Sequence, residues 1–168
     1  KRPYYEQIFL DLMHIIEMSP TTIAELNITT ICWAILRLLG EQKITKEAMN
    51  LDFMNKKLGA RHPFRLKEIK QASKSPALEN HPEYGPNEKI LALIKEAGAN
   101  EDYCGGTAVA AYMDEELFQK NGISVTVQDW KCRDYRQNFA RIPFLPNLSI
   151  IDLLMNVSYK EALGILNT

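Results

Sequence analysis

Tyr135-Arg136-Gln137-Asn138-Phe139-Ala140-Arg141-Ile142-Pro143-Phe144-Leu145-Pro146-Asn147-Leu148-Ser149-Ile150-Ile151-Asp152-Leu153-Leu154-Met155-Asn156 passes from an aromatic and polar loop into a short, very apolar helix. Pro143 and Pro146 stiffen the loop. Ser149 stands at the N-cap, with Asp152 three residues on to reach back in a variant of the capping box. Ile150, Ile151, Leu153 and Leu154 cover most of the helix circumference, so this helix is expected to be buried. Ser149, Asp152 and Asn156 fall at i, i+3 and i+7 and put three polar groups on one face. Polar groups on a mostly buried helix need partners.

Upstream of this stretch the pattern is that of an α/β unit. Asn87 to Ala97 reads as a helix closed by Gly98. Glu101 to Cys104 reads as a short strand, Gly105-Gly106 as a turn, and Thr107 through Phe118 as one helix ended by Asn121-Gly122. Ile123 to Val127 alternates and is β-branched, which predicts a second strand. A strand, helix and strand of these lengths make a crossover, so the two strands are expected to be parallel.

Nearer the start, Tyr5, Ile8, Phe9, Leu12, Ile15 and Ile16 recur at helical spacing over Tyr4 to Glu17. Ser19-Pro20 breaks that helix. A second runs from about Thr22 to Leu39 and stops at Gly40; its apolar residues cover nearly all sides, which predicts a central position. Asn27 on it reads either as a buried polar contact or as a satisfied structural residue. Lys43-Ile44-Thr45 suggests a short strand. From Met54 to Pro86 the chain turns polar and reads as a long surface excursion, with a weakly anchored helix over Pro63 to Ala72. Within it, Arg61-His62-Pro63-Phe64-Arg65 is a basic and aromatic cluster, either a solvated loop or an anion contact. At the far end, Ser158 caps a last helix carrying Ala162, Leu163, Ile165 and Leu166 inward.

Composition narrows the function classes. The chain has 168 residues, 46% hydrophobic and 24% charged, a profile that suits one globular domain. The formal net charge of -1 argues against a broad electrostatic grip on nucleic acid. The 3 cysteines lack CxxC spacing and the 3 histidines fall in no metal-ligand pattern, so a disulfide framework or zinc site is not expected and a reducing cytoplasm is. No apolar run is long enough for a membrane span. The chain opens with Lys-Arg-Pro rather than Met, which suggests a fragment.

The candidate chemistry lies at two places. In Tyr103-Cys104-Gly105-Gly106-Thr107 a strand end meets a helix N-terminus, where glycines permit close backbone approach and free N–H groups attract an anion. The turn lacks both GK[ST] and GxGxxG; the alternative is a tight turn that needs small residues for geometry alone. Asp152 is the better candidate for an acid or base, against the alternative that it only complements the helix dipole. Cys104 and Cys132 have no histidine base placed beside them by sequence, and the cap role already accounts for Ser149.

These motifs resemble the WbqC-like family. The matching residues are Tyr103-Cys104-Gly105-Gly106-Thr107-Ala108, Tyr112-Met113-Asp114, Phe118, Gly122-Ile123, Val125, Tyr135-Arg136-Gln137 and the run Phe144 to Asn156. The family's late segment reads F-x-P-x-L-S-I-x-D-L-L-F-N. Leu26-Asn27 and Leu39-Gly40 match earlier landmarks. The chain departs from the pattern in lacking the Q-P-x-Y-x-P opening segment and in having Val157-Ser158 where Gly is usual. The resemblance implies one α/β domain over residues 1–168, N-terminally truncated, with 54–86 as its surface excursion. It also implies a cytoplasmic step of surface polysaccharide (O-antigen) biosynthesis, with an acyl or aminoacyl group transferred to a nucleotide-linked amino sugar; the alternative is a non-catalytic binding or scaffold protein of the same pathway.

The fold expected is thus a small, mainly parallel sheet flanked by helices. The site residues expected are Asp152 for proton transfer, Gly105, Gly106 and Thr107 for phosphate, and Tyr103, Tyr135, Gln137, Ser149 and Asn156 for substrate. The partner expected is a nucleotide sugar or another small molecule, not nucleic acid. The residues name neither a cofactor nor an oligomeric state.

Overall fold

The computed structural model describes residues 3–138 and 141–167. Phe139 and Ala140, quoted in the opening stretch, lie outside the described residues, as does the side chain of Ala108. The chain forms two compact units, Lys1–Ile69 with Cys132–Thr168, and Lys70–Lys131. The described residues are helix-rich, with one small parallel sheet. The first unit holds α1 (Tyr5–Glu17), α2 (Ile23–Leu38), α3 (Leu51–Leu58), α8 (Ile150–Asn156) and α9 (Tyr159–Leu166). The second holds α4 (Pro76–Glu79), α5 (Pro86–Glu96), β1 (Glu101–Gly105), α6 (Gly106–Ala111), α7 (Glu115–Lys120) and β2 (Ser124–Gln128).

In the first unit, α2 packs against α1, α3 and α9, the central place its apolar content predicts. Thr29, Cys32, Trp33, Leu36 and Arg37 form a buried stripe at helical spacing, joined near the C-terminus by the buried Leu38. Ile23 and Ile31 remain exposed, so the helix is not covered on all sides. Thr22 caps it by accepting from the Glu25 N–H at 3.1 Å. Asn27 is exposed rather than a buried contact. On α1 only Ile8 and Ile15 are buried, while Tyr5, Phe9 and Ile16 stay exposed.

An ion pair crosses this core. Asp11 Oδ2 accepts from Arg37 Nε at 2.6 Å and from Trp33 Nε1 at 2.8 Å. Arg37 Nη1 also donates to the Glu41 and Gln42 carbonyls, at 2.9 and 3.2 Å. A guanidinium this deeply buried is tolerated because its donors are met. Past α2, Gly40 turns the chain at φ +86, a conformation that side chains disfavour.

Lys43-Ile44-Thr45 forms no strand; the chain continues into a 3-10 turn (Lys46–Ala48) and α3. Pro63 to Ala72 forms no helix either, because side chains bracket the backbone instead. His62 Nε2 bonds the Leu58 carbonyl oxygen at 3.0 Å, and His62 Nδ1 accepts from the Phe64 N–H at 3.1 Å. Asn55 holds Ile69 at both backbone groups, donating to its oxygen at 2.9 Å and accepting from its nitrogen at 2.8 Å.

The second unit carries the sheet. β1 and β2 run parallel, with Glu101 opposite Ser124 and Gly105 opposite Gln128, as the crossover pattern predicts. Leu91, Phe118 and Ile123 form the small core beneath them. The single helix expected from Thr107 to Phe118 is two, α6 and α7, broken at Tyr112 to Asp114. Asp114 causes the break: its Oδ1 accepts from the Leu117 N–H at 3.0 Å, so it caps α7 instead of continuing α6.

Candidate functional site

The late loop and helix of the first unit meet in one polar network. Ser149 Oγ accepts from the Ile151 N–H at 3.0 Å, which starts α8 where the sequence predicts. One turn on, Asp152 Oδ2 accepts from the Tyr135 hydroxyl at 2.8 Å and, more weakly, from Gln137 Nε2 at 3.4 Å. Asn156 Nδ2 donates to the Asp152 carbonyl oxygen at 2.7 Å and to its carboxylate at 3.2 Å. The i, i+4 spacing of Asp152 and Asn156 lets both carry out this contact from one helix face.

Gln137 fixes the loop. Its Nε2 donates to the Leu145 carbonyl oxygen at 2.8 Å and its Oε1 accepts from the Leu145 N–H at 3.0 Å, so one side-chain amide imitates a strand pairing. Phe144 sets its ring edge against Tyr135, with centroids 5.3 Å apart. Burial, with the Asp152 carboxylate beside it, pushes the Tyr135 hydroxyl up to about 12. The hydroxyl therefore keeps its proton at neutral pH and donates a hydrogen bond to Asp152.

A cleft of about 420 Å³ opens alongside, lined by Pro3, Arg136, Gln137, Asn138, Asn156, Val157 and Glu161. Gln137 and Asn156 belong to both network and cleft. Asp152 is not among the cleft-lining residues, and Ser149 is exposed at the helix start. Arg136, Asn138 and Glu161 line the cleft without belonging to the candidates that sequence singles out. Burial alternates from Tyr135 to Asn138, so Arg136 and Asn138 are the exposed members of an extended segment. That alternation was the available signal.

The other candidates stand in the second unit. Tyr103 is 63% exposed on β1. Gly105 ends β1 and Gly106 opens α6. Neither glycine has a positive φ, and a Cβ on Gly105 would meet nothing within 4 Å. Thr107 is exposed. A hollow in this unit is lined by Glu115, Gln119, Gly122, Ile123, Ser124 and Val125, and by none of those four residues. Burial pushes the thiols of both Cys32 and Cys104 up, and Asp102 adds to the effect at Cys104, so neither is an activated nucleophile. Among the described residues no three of His, Cys, Asp and Glu cluster as a metal site, and no helix is long and apolar enough to cross a membrane.

The chain is similar to the uncharacterized protein Rv1507c of Mycobacterium tuberculosis, 39% identical over 74 residues. That segment covers 44% of this chain and 31% of the relative, so the match spans about a third of the relative's length. No solved structure matches the chain. The family match is far more extensive, covering residues 1–163 and thus both the β1–α6 turn and the Tyr135–Asn156 network. The chain belongs to the WbqC-like protein family.

Proposed function

We propose that this chain carries the substrate site of a cytoplasmic enzyme of surface polysaccharide (O-antigen) biosynthesis, one that transfers an acyl or aminoacyl group to a nucleotide-linked amino sugar. The observation that supports a site here is the cleft whose wall residues Gln137 and Asn156 are held by the Tyr135–Asp152 network. A wall fixed from behind presents its amides at a set geometry, which is what recognition of a polar small molecule needs. In this reading Asp152 assists proton transfer, and Tyr135, Gln137, Ser149 and Asn156 order the substrate. In the second unit, taken alone, the exposed Tyr103 and the Gly105-Gly106-Thr107 turn would meet a phosphate.

A second reading is a non-catalytic binding protein of the same pathway. It is favoured by the placement of Asp152 behind the cleft wall rather than in it. Replacing Asp152 by Asn separates the two. The enzyme reading expects lost turnover with a nearly unchanged melting temperature. The binding reading expects loss of stability with retained ligand response. A thermal-shift screen against nucleotide sugars and acyl donors tests what both share, and no stabilisation by any of them would sink both.

A further inference from the structure

The Asn156 amide is oriented by its neighbours. Its nitrogen faces two acceptors, the Asp152 carbonyl oxygen and the Asp152 carboxylate, at 2.7 and 3.2 Å. Neither acceptor would tolerate the amide oxygen, so the orientation follows from chemistry. The Oδ1 atom is thereby left as the amide's acceptor away from these two contacts, on a residue that lines the cleft. Asn156 is a buried residue, only 8% exposed, so this acceptor is held rather than free to swing.

Two opposite charges share the same cleft. Arg136 comes from the loop and Glu161 from the first turn of α9. Both are exposed, and neither is ion-paired with a described residue, including each other. A ligand of one charge sign would meet one attractive and one repulsive group. A ligand carrying both signs would meet two attractive ones.

From these placements we infer that the cleft binds a small zwitterion: an ammonium donates to Asn156 Oδ1 and Glu161, and a phosphate or carboxylate accepts from Arg136. This rests on the reading of the cleft as the substrate site and narrows its ligand class. The shared chemistry has two sources, an amino sugar phosphate and a free α-amino acid, and a cleft of about 420 Å³ has room for either.

The test is calorimetric titration of the full chain with glucosamine 1-phosphate, glucose 1-phosphate, glucosamine and serine. Glucosamine 1-phosphate is expected to bind at least about tenfold more tightly than glucose 1-phosphate or glucosamine, since each lacks one charge-assisted contact. Serine binding more tightly still would keep the inference and assign the amino acid as the source. Arg136→Ala, at an exposed position, is expected to bring glucosamine 1-phosphate down to the affinity of glucosamine. Glu161→Gln is expected to weaken the preference for amine over hydroxyl, leaving the part carried by Asn156, and an unchanged preference would overturn the inference. Equal affinity for glucose 1-phosphate and glucosamine 1-phosphate, or an Arg136→Ala protein that keeps its phosphate preference, overturns the inference while the cleft stands as a site. Binding of none of the ligands overturns both.

Discussion

Tyr135→Phe removes one oxygen and leaves the ring. The edge-on contact with Phe144 survives, so the apolar contribution is unchanged. What is lost is the 2.8 Å bond from the hydroxyl to the Asp152 carboxylate. A hydrogen bond to a charged group contributes about 1.5–3 kcal/mol when removed from one side. Tyr135 is only half-buried, and water can partly replace the hydroxyl, so the expected cost is at the low end, about 1.5 kcal/mol. The remaining donors from Asn156 and Gln137 keep Asp152 from being stranded. Urea denaturation would show the loss as a lower midpoint at unchanged slope.

The pH dependence sharpens the test. The hydroxyl titrates at about 12 in the folded chain against an ordinary value of 10.0. A raised folded value means that the protonated form is favoured by folding. Its stabilisation is therefore complete below the ordinary value and is lost as pH rises through the folded one. The stability gap between wild type and Tyr135→Phe should be constant through neutral pH and close across that alkaline window. A gap below about 0.5 kcal/mol at neutral pH, the ordinary scatter of surface substitutions, would refute the argument. So would a gap that persists after the tyrosine has ionised.

Two further outcomes follow from the first unit. Asp11→Ala leaves the Arg37 guanidinium, only 7% exposed, without its counter-charge and Trp33 Nε1 without its acceptor. The expected cost is about 3 kcal/mol, because the Glu41 and Gln42 carbonyls still accept from Arg37; adding Arg37→Met should recover part of it, and strict additivity of the two in urea denaturation would contradict the pairing. Gly40→Ala places a Cβ 3.0 Å from the Tyr159 ring at a φ of +86, so strain and contact together should cost about 1–3 kcal/mol, and an unchanged melting temperature would show that the turn relaxes.

The elements legible in the sequence are those fixed by local chemistry. Ser149 and Ser158 cap their helices with side chains, and Thr22 does the same for α2. The parallel pairing of β1 with β2 followed from their spacing around a short helix. The failures share a cause: a side chain competing with regular backbone bonding. Asp114 falls inside the single helix expected from Thr107 to Phe118, yet it caps α7 and splits the helix. Asn55 and His62 claim backbone groups around 63–72 and leave no helix there. Lys43-Ile44-Thr45 has strand-like composition but pairs with no described strand. At the site, the spacing of Asp152 and Asn156 identified one helix face, and the resemblance brought in Tyr135 and Gln137. Arg136 and Glu161 were illegible because exposed charges look alike until a cleft is seen between them.

The double clasp of Gln137 on Leu145 makes a closed ring of the residues between them. The entropy of closing such a ring grows only logarithmically with its length, by about 0.6 kcal/mol per doubling. Insertions inside the ring are therefore cheap, and they leave its two anchor points untouched. Arg136 on one side and Ser149 on the other keep their stations whatever the contour length between them. A chain lengthened between Gln137 and Leu145 is therefore expected to keep the Tyr135–Asp152 bond.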